Sequence, residues 1–154
     1  MMGGMIQLPY IVDVHLRWSD TDTYGNINNV MFLHLIEDAQ VMGIHAWLSA
    51  TKSLLNEGII VARQEIEYVQ PLAFRIPPVR VEMWVTRIGA RSFDLGYTVS
   101  DPDEVGENVY ALAETSMVLY NYDDGSLRNL TDAEKEVLAK HTGEPVAFRR
   151  RGMS

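Results

Sequence analysis

The chain is predicted to form an α+β fold in which a curved antiparallel sheet of five strands wraps one long helix. Three features predict it. The stretch from Val30 to about Ala50 is apolar around most of a helical circumference. A series of segments from Ile59 to Tyr120 repeats with period two, punctuated by Pro and Gly. The chain holds only one such apolar helix, so a sheet of that size buries a face only by curving around it.

The elements follow in order. Tyr10 to Trp18 mixes apolar and β-branched residues and is expected to be a first strand. The decapeptide from Asp20 to Asn29, dense in Asp, Asn and Gly, is a turn region. Asn28 or Asn29 then suits an N-cap, because a short amide accepts from the first free N–H groups of a helix. Phe32, Ile36, Ala39, Gly43 and Trp47 share one face, which Leu35, Met42 and Ala46 widen, so only a narrow polar stripe is expected to face water. Gly43 costs the helix about 1 kcal/mol, which implies a close neighbour there.

Four strands are expected beyond the helix. In the first, Ala62, Gln64, Ile66 and Tyr68 alternate with Val61, Arg63, Glu65 and Glu67; in the second, Val79, Val81, Met83 and Val85 share a face. Phe93, Leu95, Tyr97 and Val99 form the third, and Asn108 to Tyr120 the fourth. These four are expected to run as a meander. Thr131 and Glu134 have capping-box spacing and open a short last helix to about Lys140. Arg149 to Ser154 is expected to be a frayed basic tail beyond a core of about residues 8–142, all in one domain, 1–154.

Composition removes whole classes of function. The 154 residues are 47% apolar and 22% charged, as in a globular domain. There is no cysteine, so thiol nucleophiles, disulfides and thiolate metal sites are excluded. Thirteen Lys and Arg stand against 21 Asp and Glu, a net charge of −8 that opposes a nucleic-acid partner. No run approaches the roughly 18 apolar residues of a membrane span. Met1 to Met5 has no signal-peptide pattern and lacks the Ser or Thr of a myristoylation site, so a cytoplasmic protein is expected. Five strands leave edges open, and pairing with a second copy protects an edge; a homodimer or homotetramer is expected.

One segment carries chemistry. Arg17 to Asn29 places two carboxylates, Asp20 and Asp22, immediately before the start of the long helix. Free N–H groups and the positive end of the helix dipole lie there. Such donors stabilise charge developing on a carbonyl oxygen while a carboxylate attacks the carbonyl or activates water. The same residues are ordinary turn and cap formers, which is the structural alternative. A calcium loop is disfavoured, since its fifth position is Tyr24 and its twelfth is Met31 in place of the bidentate Glu. His34 and His45 lack metal-ligand companions, and Ser126 lacks a nucleophile elbow. Trp47, Trp84, Met31, Met42 and Met83 are expected in the core or along an acyl tunnel.

Arg17, Asp20, Asp22, Gly25, Asn28 and Asn29, followed by Leu33 to Ala39 and later by Ile66-Glu-Tyr-Val-Gln-Pro71, resemble the signature of the hotdog-fold acyl-CoA thioesterases of the 4-hydroxybenzoyl-CoA thioesterase superfamily. The resemblance runs from about Val12 to Tyr120. It implies hydrolysis of an acyl-CoA thioester to a free acid and coenzyme A, with no metal or prosthetic group. It also implies Asp22 as nucleophile or general base, the two routes remaining open, and the backbone N–H near Asn29 as oxyanion donor. Tyr24, Gly25, Arg87, Arg91 and Ser92 are the implied substrate contacts, the arginines for the CoA phosphates and supplied across a dimer. Glu37 is an alternative carboxylate. The family's usual His is Asn26 here, an amide that positions a group but carries no titrating proton. A non-catalytic acyl-CoA-binding protein is therefore the second hypothesis. A hotdog dehydratase, which needs a paired Asp and His, ranks last.

Overall fold

The structure, a computed structural model, describes residues 9–49 and 58–150. The expectations for Met1 to Met5 and for the end of the basic tail fall outside those residues. Strand β1 spans Tyr10–Val14 and is followed by a 3-10 turn, Trp18–Asp20. Helix α1 is Asn29–Leu48; β2 is Ile59–Tyr68, β3 Val79–Ile88, β4 Ser92–Ser100 and β5 Val109–Asn121. A two-residue β6, Ser126–Leu127, pairs with β5 ahead of α2, Asp132–Ala139. The first strand is shorter than expected because its pairing with β3 ends at Val14, and the chain turns into the 3-10 helix at Trp18.

The sheet order is β1-β3-β4-β5-β2, all antiparallel. The expected meander is therefore corrected: it holds for β3, β4 and β5 only, and β2 lies beyond β5 at the opposite edge. The link from β2 to β3, residues 69–78, carries Pro71, Pro77 and Pro78 and cannot be a tight hairpin. It crosses three strand spacings, roughly 14 Å, at one end of the sheet. That crossing segment later forms a wall of the candidate site.

Alternation positions the core. Val79, Val81, Met83, Val85, Phe93, Leu95, Tyr97 and Val99 all point into the concave face and are buried. They meet across the register as Val81 with Val99, Met83 with Tyr97 and Val85 with Leu95. From α1, Phe32, Leu35, Ile36, Ala39, Gln40, Gly43, Ile44 and Leu48 are buried against them. A Cβ on Gly43 would collide with the Met83 Cε and stand 3.1 Å from the Tyr10 ring, which is the close approach implied by a mid-helix glycine. A polar link crosses the middle of this interface: the Tyr97 hydroxyl lies 3.2 Å from Gln40 Oε1 and 2.9 Å from Thr115 Oγ1. Burial pushes the Tyr97 phenol far above its ordinary pKa, so it stays a donor.

Two expectations about burial are corrected. Met42 and Ala46 are exposed, as is Val41, because the sheet covers only one 3.6-residue stripe of α1. Trp84 lies half-exposed on the convex face, donating its Nε1–H to the Glu144 carbonyl at 2.7 Å. Trp47 is half-buried, stacked on His141 at 4.2 Å.

Residues 140–150, after α2, form a strap along the sheet. Val85 N–H donates to His141 O and Gly143 N–H donates to Val85 O, each at 2.8 Å, covering the part of β3 that β1 does not reach. Val146 and Phe148 are buried, and the backbone N–H groups of Arg149 and Arg150 donate to the Glu67 carboxylate at 2.8 and 3.1 Å. The capping box of α2 forms as its spacing predicts, Thr131 with Glu134 in both directions. No helix among the described residues is long and apolar enough to cross a membrane.

Candidate active site

The loop between β1 and α1 is built from short polar side chains that replace backbone partners. Arg17 holds both oxygens of Asp20, Nε to Oδ2 at 3.0 Å and Nη2 to Oδ1 at 2.8 Å. Asp22 opens an Asx turn in which Oδ1 accepts from Tyr24 N–H at 2.8 Å and Asn26 N–H at 3.1 Å. Gly25, at φ +80°, supplies the left-handed residue that closes the turn.

The crossing segment fixes this loop from the other side. Ile27 N–H donates to Leu72 O at 2.7 Å and Phe74 N–H to Gly25 O at 3.1 Å. At the helix start, Asn28 is the cap: its Oδ1 accepts from Val30 N–H at 3.0 Å and its carbonyl from Met31 N–H at 2.8 Å. Among the described residues the Asn29 N–H has no acceptor, and Asp22 Oδ2 has no donor.

Asp22, Asn26 and Asn29 meet in one cavity of about 290 Å³, whose opposite wall is the run from Tyr68 to Leu72. Tyr68 is a site residue that the sequence reading missed. Its hydroxyl donates to the Asn29 carbonyl at 2.9 Å, and its ring stands edge-on to Phe32 at 5.4 Å. Burial raises the Tyr68 pKa, so the phenol remains protonated and keeps that bond. The only signal in the sequence was its place in the Ile66 to Pro71 segment, immediately before a strand-breaking proline.

The other expected site residues lie elsewhere. Tyr24 is 86% exposed with its ring outside the cavity, and Gly25 acts through its backbone. Arg87, Arg91 and Ser92 sit at the β3–β4 hairpin, at the far end of the sheet. Tyr68 pairs with Ala111 and Phe93 with Met117, so six residues of β5, roughly 20 Å, separate the two ends. Arg87 is bound to Asp94 (Nε to Oδ2, 2.9 Å) and to the Ser92 hydroxyl (2.8 Å), while Arg91 donates to Asn129 Oδ1 at 3.2 Å. The Asp94 hydrogen bond, against the cost of burial, raises the Arg87 pKa further.

Glu37 and His45 are exposed on α1 and line no part of this cavity. Ser126 donates its hydroxyl to Asp124 Oδ1 in the β5–β6 turn. Among the described residues, no three His, Cys, Asp or Glu are grouped to hold a metal. Asp22 and Asn29, both solvent-exposed, thus line the cavity at the positive end of a 20-residue helix.

A helix enclosed by a curved antiparallel sheet, with an Asp–Asn loop at the helix start, defines a hotdog domain. The chain belongs to the thioesterase-like superfamily, whose family model matches residues 16–141. Solved structures share the fold. A predicted thioesterase from Bacillus stearothermophilus superposes with a TM-score of 0.76 at 22% identity, over 89% of this chain and 98% of that one. A thioesterase from Thermus thermophilus, complexed with coenzyme A and Zn, gives 0.71 at 24%, over 92% and 100%. A 1,4-dihydroxy-2-naphthoyl-CoA thioesterase from Synechocystis gives 0.70 at 19%, over 85% and 96%. No curated protein matches the chain in sequence.

Proposed function

We propose that the protein is a cytoplasmic acyl-CoA thioesterase that cleaves a thioester to a carboxylic acid and coenzyme A without a metal or prosthetic group. The observation that carries this reading is that Asp22 and Asn29, the latter at the N-terminus of α1, line one cavity. A thioester carbonyl whose oxygen accepts from Asn29 N–H has its developing negative charge stabilised by that donor and by the helix end. Asp22 then acts by one of two routes. As base it takes a proton from water, hydroxide adds to the carbonyl carbon, and the C–S bond breaks to release coenzyme A as the thiolate. As nucleophile its Oδ2 displaces the thiolate, forming a mixed anhydride that water hydrolyses. The Asn26 amide lines the same cavity and orients the water or the carbonyl.

The site is completed by a second copy of the chain. In an antiparallel pairing of two β2 edges, the Ile59 end of one copy lies against the Tyr68 end of the other. Ile60 and Ser92 both pair with Val118, so the β3–β4 hairpin of the second copy approaches the first copy's cavity. Arg87, Arg91 and Ser92 of that copy then contact the CoA phosphates. Exposed Val61 on β2, with Val41 and Met42 on α1, supplies apolar surface for the contact.

Release of free thiol from a panel of acyl-CoAs tests the activity. A thermal shift with CoA esters but no thiol release would favour the second reading, a binding protein, for which the observation is the non-titrating Asn26 where a His is usual. No shift and no release would refute both. Tyr68→Phe is expected to lower kcat about tenfold with KM unchanged, because it removes the bond that fixes residue 29 without touching substrate. A rise in KM with kcat unchanged would instead place Tyr68 in direct contact with the acyl-CoA.

A further inference from the structure

A chain of net charge −8 that binds the phosphates of an acyl-CoA needs positive charge that its own carboxylates have not neutralised. Six arginines do not supply it. Arg17, Arg63, Arg75, Arg80, Arg87 and Arg128 each face a carboxylate at 3.0 Å or less. Arg149 differs: its side chain is 61% exposed, and its Nε stands 3.6 Å from Glu67 Oε1. Arg150 is exposed beside it. Two guanidiniums therefore stand against one carboxylate.

The strap delivers this pair to the end of the sheet that carries the cavity. From its bonds to Val85 on β3 it crosses the convex face over Gly96 of β4, where a Cβ would stand 2.7 Å from Val146 Cγ2, and it ends on Glu67 of β2. Gly96 pairs with Glu114 and Glu67 with Leu112, so the strap runs obliquely toward the Tyr68 end. Glu67 lies one Cα spacing, about 3.8 Å, before Tyr68, where the cavity wall begins. β2 stops at Tyr68, so the arginines and the cavity lie on either side of the end of one strand. Backbone N–H groups make the anchoring bonds to Glu67, which leaves the guanidiniums to meet an anion. Those bonds, that of Arg149 first, hold the Glu67 carboxyl below its ordinary pKa, and the anchor stays charged at neutral pH.

We infer that Arg149 and Arg150 form a phosphate subsite for the coenzyme A part of the substrate, within the same copy that supplies Asp22 and apart from Arg87 and Arg91. The planar fork of a guanidinium matches phosphate oxygens two at a time. This inference rests on the thioesterase reading above and adds a substrate-binding site to it.

The test uses the acyl-CoA of the panel that is turned over fastest and the same acyl group on pantetheine, which carries no phosphate. The proteins are the wild type, the double variant Arg149→Ala/Arg150→Ala and the double variant Arg149→Lys/Arg150→Lys. The alanine variant is expected to raise KM for the CoA ester about tenfold with kcat unchanged. Its constants for the pantetheine ester should equal those of the wild type. The lysine variant keeps the charge but loses the fork, so its KM should fall between. Calorimetric titration with coenzyme A itself should give the same order of affinities. An unchanged KM for the CoA ester would overturn the subsite while leaving the activity standing. An equal rise for the pantetheine ester would also overturn it, because the arginines would then act on the fold and not on phosphate. If no ester is hydrolysed by any of the three proteins, the activity reading fails. The coenzyme A titration then decides the subsite alone: equal affinities, or no binding by the wild type, would overturn it. Should the alanine variant not fold, Arg149→Gln/Arg150→Gln carries the same comparison.

Discussion

Asp22→Asn is expected to lower kcat for thioester hydrolysis by roughly 10²–10⁴-fold, with KM and folding stability close to wild type. The expectation separates two jobs that one side chain performs. Asp22 Oδ1 holds the loop by accepting from Tyr24 N–H and Asn26 N–H, and an asparagine oxygen of the same size accepts both bonds. The substitution therefore preserves the turn, the docking of Ile27 on Leu72 and the cap at Asn28. What it removes is the chemistry of Oδ2, which as an amide nitrogen neither takes a proton from water nor attacks a carbonyl carbon. Thiol trapping gives kcat, and a thermal melt gives stability. Unchanged kcat in a folded variant would remove Asp22 from catalysis. A large loss of stability would mean that its role is to build the turn.

The order of residues revealed this site only in part, for a physical reason. Asp22, Asn26 and Asn29 lie within eight consecutive positions, so local turn and cap preferences already bring them together. The Asn28 cap, the Thr131–Glu134 box and the alternation of β3 and β4 are legible on the same ground, because each rests on contacts a few residues apart. Period two states which face a strand buries but not which strand it pairs with. Nothing in Ile59 to Tyr68 indicates that β2 joins β5 instead of β3, and so the wall from Tyr68 to Leu72 stayed hidden. Tyr68 and Asn29 are 39 positions apart. Exposure of Met42 and Ala46 depends on how far the sheet curls around α1, a tertiary quantity. Engagement of Arg87 by Asp94 depends on the register across a hairpin.

Arg75→Ala is expected to destabilise the protein by about 3–5 kcal/mol, because it strands a buried carboxylate. The Asp101 side chain is 2% exposed and that of Arg75 20%. Arg75 Nη1 donates to Asp101 Oδ1 at 2.6 Å, and its other nitrogens donate to the carbonyls of Pro77 and Pro78. The Tyr110 hydroxyl donates to the same oxygen at 2.7 Å, and Asn108 N–H donates to Oδ2 at 3.1 Å. Burial pushes the Asp101 pKa up, but the bonds from Tyr110, Arg75 and Asn108 outweigh it, and the carboxyl titrates below its ordinary value. A depressed folded-state pKa gives stability that is complete above the unfolded value, about 3.9, and disappears as pH falls through the folded one. Without the guanidinium, two of the influences that lower this pKa are lost while those of Tyr110 and Asn108 remain, so the variant's carboxyl is expected to be protonated at a higher pH than the wild type's. Urea unfolding should therefore show the largest gap between the two proteins at neutral pH and a narrowing gap below about pH 4. A gap under about 1 kcal/mol, or one that ignores pH, would mean that Asp101 is satisfied without Arg75. Because this cluster anchors the crossing segment that carries Leu72, the variant should also lose activity at urea concentrations where the wild type remains folded.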